Sequence, residues 1–224
     1  MPVPPVLQAR ALRICHGETV AVADAHLALH PGEVIGIVGP SGSGKTTLLH
    51  CLSGLLLPDS GSVLFRGRTM EELSVKERDS LRREHFGFVF QFGDLVPELT
   101  LCENVSLPLR LNGVPAKEAR RRATDQLTAL GIGHLSRRSV GEVSGGELQR
   151  AAIARSVVHK PAVVFADEPT GALDEDNSAV VFDLLIAQAK EQGASVVVVT
   201  HDVDLAARTD RTIRLVGGHM KEPA

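Results

Sequence analysis

Three short runs interrupt the mixed pattern of the chain: VIGIV (34–38), AVVFA (162–166) and SVVVV (195–199) are rich in valine and isoleucine without polar alternation. A strand with one wet face alternates with period two, so unbroken apolar runs predict strands covered on both faces. They predict the parallel centre of an α/β sheet. Chemistry-bearing residues follow each run: Gly39 onward, Asp167 with Glu168, and Thr200 with His201. Open parallel sheets bind ligands at the carboxyl ends of their strands, so these groups are expected to converge.

Between the first two runs the dominant pattern is helical. Ser74 and Glu77 have capping-box spacing at the start of SVKERDSLRREH, and KEARRRATDQLTALG (117–131) puts Ala119, Ala123, Leu127 and Leu130 on one face before a terminating glycine. An inserted helical lobe is expected from about Gln91 to just past the SGG segment, 91–155, inside a single domain spanning 1–224. In the N-terminal third, ETVAVADAHLALHPGE and GSVLFRG read as shorter antiparallel strands, with HPGE (30–33) a turn. The run Arg120 to Arg122 reads as a solvated helix face.

Composition narrows the classes. With 224 residues, 43% hydrophobic and 23% charged, the chain is long enough for one substantial core. A net charge of −3 offers no basic footprint, so nucleic acid is not an expected partner. The apolar runs fall short of the roughly 20 residues that span a bilayer, and no signal peptide is evident, so the chain is expected to be cytosolic and not to cross a membrane itself. Cys15, Cys51 and Cys102 are too scattered for disulfides or zinc and read as reduced, mostly core-filling thiols.

GPSGSGKT (39–46) fits G-x-x-x-x-G-K-[ST] between a predicted buried strand and an apolar helix, TTLLHCLSGLL. Glycines there let successive N–H groups point inward, and the helix beginning near Lys45 adds its positive end. Lys45 neutralises outer phosphates and the Thr46 hydroxyl suits Mg²⁺. Thr47 either helps bind phosphate or simply starts the helix. Asp167 can hold a metal's water shell, and Glu168 can orient or deprotonate an attacking water. Kinases, GTPases and ATPases all share this much.

VSGGELQR (143–150) looks like a second phosphate loop before a second helix, although taken alone it reads as a glycine turn capping that helix. The ordered set GPSGSGKTT, VFQ, VSGGELQR, FADEPTGALD and VVVTHD resembles the ATP-binding cassette ATPases over nearly the whole chain. That resemblance implies a P-loop NTPase, RecA-like core (1–90 and 156–224, including an antiparallel β subdomain) with the helical subdomain at 91–155. It implies ATP and Mg²⁺ as cofactors. Gly39, Pro40, Ser41, Gly42, Ser43, Gly44, Lys45, Thr46 and Thr47 match the Walker A loop, Gln91 the Q-loop glutamine, and Ser144, Gly145, Gly146 and Glu147 the signature. Asp167 matches the Walker B aspartate and Glu168 the catalytic glutamate, while Asp174 lies in the D-loop and His201 is the switch histidine. Thr46, Gln91 and Asp167 are the implied metal residues, and Gln91, able to contact the metal or the attacking water, joins Glu168 and His201 as an implied catalytic residue.

The resemblance also implies a homodimer with ATP in its interface, the signature of one chain closing on the Walker A loop of the other. FGFVFQFGDLVPELTLCENVSLPL (86–109) and ADEPTGALD (166–174) look like the branch partnered with two integral-membrane permease subunits, at the cytoplasmic face of the cell membrane. Haem, drug, peptide and lipoprotein substrates occur in that branch, as does a cell-division type that regulates an extracytoplasmic partner without transport. Phe92, Leu95, Val96 and Leu99 are either an edge for the permease's coupling helix or core packing. One departure stands out: the chain has no Tyr or Trp, and LRICHGE occupies the place of the usual adenine-stacking aromatic. His16 is the candidate replacement, with Val22 beneath the base, and a surface histidine without contacts is the other reading.

Overall fold

The structure, a computed structural model, describes residues 3–91 and 93–221, all but Glu175 and Asp176 with their side chains. In chain order the elements are β1 (Leu7–His16), β2 (Thr19–Leu29), β3 (Val34–Val38), α1 (Lys45–Leu52), β4 (Ser60–Phe65), β5 (Arg68–Thr69), α2 (Val75–His85) and β6 (Phe86–Phe90). There follow α3 (Leu101–Leu111), α4 (Ala116–Ala129), α5 (Gly145–Val157), β7 (Val163–Asp167), α6 (Glu175–Glu191), β8 (Ser195–Thr200), α7 (Val203–Ala206), β9 (Arg211–Val216) and β10 (His219–Lys221). The chain divides into two compact units, one of residues 1–82 with 195–224 and the other of residues 83–194.

In the first unit an antiparallel sheet runs in the order β2-β1-β4-β5, with Leu7 opposite Leu29 on one side and Phe65 on the other. At 10 and 11 residues, β1 and β2 are the longest strands among the described residues, and β2 is longer than the ETVAVADAHLALHPGE pattern suggested. β1 carries a bulge. Pairing slips between Ala9 and Leu12, Ala11 adopts φ +47°, and a Cβ on Gly61 would stand 2.3 Å from the Ala11 carbonyl oxygen. The extra residue returns Leu12 and Ile14 to the buried face, so one strand reads as two fragments. The other strands of this unit run β10-β9-β3-β8. All five residues of β3 are buried between parallel neighbours, β8 and β9, as its unbroken apolar run predicted.

The second unit holds the parallel pair β6 and β7, paired from Phe86↔Val163 to Phe90↔Asp167, with helices α3 to α6. It is wider than the 91–155 segment, because α5 packs on β6 so closely that a Cβ on Gly87 would stand 2.1 Å from the Ser156 carbonyl oxygen. The largely helical stretch between β3 and β7 also contains β6, whose FGFVF is an aromatic, β-branched run of strand character. Ala119, Ala123 and Leu127 bury one face of α4, as their spacing predicted. Capping boxes close Ser74/Glu77, Thr100/Glu103, Ser139/Glu142 and Ser144/Glu147, satisfying amides that begin each helical segment. Asn104, fully buried, accepts from the Val96 amide and donates to the carbonyls of Val96, Leu99 and Thr100, holding the irregular chain that leads into α3. In that loop Leu95 belongs to the core and Val96 is 37% exposed, while Phe92 lies outside the described residues. Arg121 pairs with Glu118 and Asp125 on the exposed face of α4, whereas Arg122 donates to the Val158 carbonyl.

Candidate functional site

In the first unit the chain leaves β3 and turns through Gly39–Gly44 into α1. Gly44 has φ +96° and lies so near β2 that a Cβ would stand 2.2 Å from the Ala21 carbonyl oxygen, so no other residue fits there without a shift of the backbone. A Cβ on Gly39 would stand 2.2 Å from the Leu215 carbonyl oxygen. The loop is thereby pressed against two strands. Lys45 is only 7% exposed, its ammonium donating to the Gly39 and Pro40 carbonyls at 2.9 and 3.1 Å. The Ser43 hydroxyl oxygen is buried with no hydrogen-bond partner. Its amide donates to the Pro40 carbonyl at 3.2 Å. α1 has no acidic residue in its first turn and no side-chain cap, which leaves the positive end of the helix available to an anion. A buried hydroxyl without a partner, a glycine cradle and a poised ammonium fit a phosphate chain and its magnesium.

Parallel pairing of Val38 with Thr200 sets Gly39 and His201 side by side past one edge of the strands. Thr200 is buried and accepts from the Asp202 amide, and Asp202 caps α7 by accepting from the amides of Asp204 and Leu205. His201 therefore sits on a braced corner and is exposed. The exposed ring of His16 lies 3.2 Å from the Thr47 hydroxyl, which ties it to the end of the glycine loop. Val22 is fully buried behind Gly44 and presents no surface to a base.

In the second unit the register Phe90↔Asp167 puts Gln91 beside Asp167 and Glu168 at the carboxyl ends of paired strands. Glu168 takes φ +45°, a left-handed conformation that costs a non-glycine residue about 1–3 kcal/mol and is characteristic of functional positions. Its carbonyl accepts from the Gly171 amide at 3.0 Å, making a tight turn that brings the chain back past Gln91. A Cβ on Gly171 would lie 2.8 Å from Gln91 Nε2, so the glutamine side chain rests against that turn.

Ser144 caps α5, its amide and hydroxyl donating to the Glu147 carboxylate at 2.8 and 2.7 Å. Those bonds, the amide's foremost, hold the Glu147 carboxyl below the usual range. Gly145 and Gly146 follow a different rule from Gly44. Neither has positive φ, and a Cβ would meet only Leu173 Cδ2 at 3.7 Å for the former and nothing within 4 Å for the latter. The fold of the chain has no need of glycine at either position. An open cleft of 410 Å³ joins Ser144–Glu147 to Ala172, Leu173 and Asp174. Asp174 caps α6, and the Asn177 amide, with help from its side chain, lowers the carboxyl's pKa. His134, Arg150 and Asn177 also line this cleft and were not anticipated, since nothing in their local sequence marks them.

Among the described residues no cluster of His, Cys, Asp and Glu is built as a metal site, and no helix is long and apolar enough to cross a membrane. Cys51 and Cys102 are buried as expected of core thiols, with burial pushing Cys51 up to about 12, whereas Cys15 is only half-buried.

Residues 22–171 match the family described as ABC transporter. The lipoprotein-releasing system ATP-binding protein LolD of Hydrogenovibrio crunogenus is 45% identical over 92% of this chain and 90% of that protein. LolD 2 of Caulobacter vibrioides is 42% identical over 97% of both. Among solved structures, a dimeric post-hydrolysis state of the ATP-binding cassette MJ0796 bound to ADP and Pi superposes with TM-score 0.86 and 33% identity, covering 96% of this chain and 98% of that one. A second dimeric structure, of MJ0796 as a bacterial ABC transporter cassette, superposes at 0.87 with 34% identity, covering 96% and 98%.

Proposed function

This chain belongs to the ABC transporter family, as one of its ATP-binding and ATP-hydrolysing subunits, and from that premise we propose that it pairs with a second copy beneath two membrane permease subunits to release a lipoprotein from the membrane. Substrate and direction follow the LolD relatives, which favour release over the regulatory alternative. Work beneath permeases places the chain at the cytoplasmic face of the membrane.

Gly39 to Thr47 wrap the phosphates with backbone amides, and the Ser43 hydroxyl gains there the partner it otherwise lacks. Lys45 exchanges the carbonyls of Gly39 and Pro40 for phosphate oxygens. Thr46, Gln91 and Asp167 would hold Mg²⁺, which when bound would supply positive charge to neutralise the phosphates. Glu168 orients and deprotonates the attacking water, and His201 donates toward the terminal phosphate. His16, tied to Thr47, lies against the base in place of an aromatic ring.

One observation carries the pairing. Gly145 and Gly146 are glycine where the fold of the chain would accept a side chain, and they border an open cleft. Glycine kept without an internal reason fits close approach by an outside group, and an anion is the group that a helix N-terminus attracts. In the proposed dimer that group is the nucleotide on the second copy, with Asp174 facing the same cleft.

Replacing the base tests the chemistry. Glu168→Gln should lower hydrolysis by about 10² to 10⁴ while ATP still binds and the pair accumulates in solution mass measurements. Hydrolysis at the parental rate would end the assignment of Glu168. ATP-dependent release of an acylated protein from vesicles carrying the permease tests the substrate; its failure beside a working ATPase would exclude lipoprotein release.

A further inference from the structure

The backbone on either side of Gln91 is bonded to a distant helix. Gly93 and Asp94 both take left-handed backbone, φ +73° and +45°, so their carbonyls point away from any regular ladder. α5 supplies the partners. Arg155 reaches from the third turn of that helix and donates from Nη1 to the Asp94 carbonyl at 2.7 Å and from Nη2 to the Gly93 carbonyl at 2.9 Å. Gln149, 2% exposed, donates to the Phe90 carbonyl at 3.0 Å, the same oxygen that accepts from the Gly93 amide. A Cβ on Gly93 would stand 2.4 Å from Leu148 Cδ2 and 3.5 Å from the Ala152 Cβ, so the backbone lies directly on the helix face formed by Leu148, Ala152 and Arg155.

This arrangement is expensive to assemble. Burial lowers the pKa of the Arg155 guanidinium, although the nearby Asp94 charge opposes that shift, and the two acceptors that it grips are neutral carbonyls. A guanidinium suits the task because its planar fork grips two acceptors at once. The same helix begins at Ser144, so its first turn carries the signature and its later turns carry the bonds that flank Gln91.

We propose that Gln149 and Arg155 are positioning residues for ATP hydrolysis: they fasten the backbone on both sides of Gln91 to α5, so that the glutamine is placed by the helix that presents Ser144. The proposal rests on the catalytic role given to Gln91. Arg155→Lys keeps the charge but loses the fork, and Gln149→Ala removes the other bond.

In the full chain each variant should lower kcat by about 10- to 100-fold with KM and nucleotide affinity at parental values; Arg155→Lys should keep a near-parental thermal midpoint, whereas Gln149→Ala, which empties a buried hydrogen-bonded site, should lower it. Combined with Gln91→Ala, neither should lower kcat further, because a residue acting through Gln91 has nothing left to position. A parental kcat in Arg155→Lys, or a full additional loss in the Gln91→Ala background, would overturn the proposal. If Gln149→Ala fails to fold, the Arg155→Lys pair of measurements decides alone. A parental kcat in Gln91→Ala itself would remove the role of Gln91 and the clamp with it, whereas loss of hydrolysis in Glu168→Gln reports separately on the ATPase reading.

Discussion

The two glycine segments, Gly39–Gly44 and Ser144–Gly146, look alike as sequence and are built oppositely. The first is glycine for internal reasons: Gly44 has positive φ, Gly39 and Gly44 press on neighbouring carbonyls, and Lys45 is folded onto the loop. In the second, the glycines have ordinary backbone with room for a side chain, and the serine's hydrogen bonds go to its own helix through Glu147. One is a cradle closed on itself, the other a capped helix end left open to a cleft. A glycine-rich motif therefore serves two ends, backbone shape in one place and, in the proposed dimer, outside access in the other.

Alanine in the first segment should do the most damage. Gly44→Ala forces a Cβ into the Ala21 carbonyl oxygen at positive φ, and the expected loss is about 3 kcal/mol or more, read by denaturant unfolding together with loss of nucleotide binding. Stability near the parental value would mean that the loop tolerates rearrangement and the contrast is false. Ser144→Ala should cost about 1 kcal/mol through the lost N-cap and weaken ATP-driven pairing, with ATP affinity of the single chain unchanged. Ser144→Arg should abolish that pairing by filling the cleft.

Gly146→Ala gives the sharpest comparison with Gly44→Ala. It should leave the fold intact or stabilise it by up to about 1 kcal/mol, alanine being the better helix former, and still slow turnover. A destabilised Gly146→Ala would show an internal need for glycine that the geometry lacks. The smallest effect is on pH. Because the Glu147 carboxyl is held below its ordinary range, its contribution to stability is present above the unfolded pKa and is lost as pH falls through the lower, folded value. Glu147→Gln should flatten that acid limb, seen as a thermal midpoint that changes less with pH than the parent's below the ordinary carboxylate range.

Local rules made much of this protein legible. Capping boxes such as Ser74/Glu77, the core face of α4 at Ala119, Ala123 and Leu127, and the cradle at Gly39–Lys45 depend on residues a few positions apart, within reach of a pattern. The length of β1 was not legible, because a bulge at Ala11 breaks the alternation, and β6 was hidden in a stretch of helical character. Arg155 and Asp94 are 61 positions apart, and no spacing rule connects an arginine inside a helix with a distant carbonyl.

By itself the sequence determined the chemistry on offer: a phosphate loop with its lysine, an Asp-Glu pair after a buried strand, a histidine after another, and a serine capping a glycine-rich helix start. These are short-range matters of backbone freedom, helix ends and side-chain functional groups. Only the tertiary structure decided that Val22 is sealed behind Gly44, that Gln91 rests on Gly171, and that VSGGELQR is an open helix end rather than a second cradle. The space around a residue depends on distant chain brought against it, and two glycines identical in sequence differ in whether that space is filled.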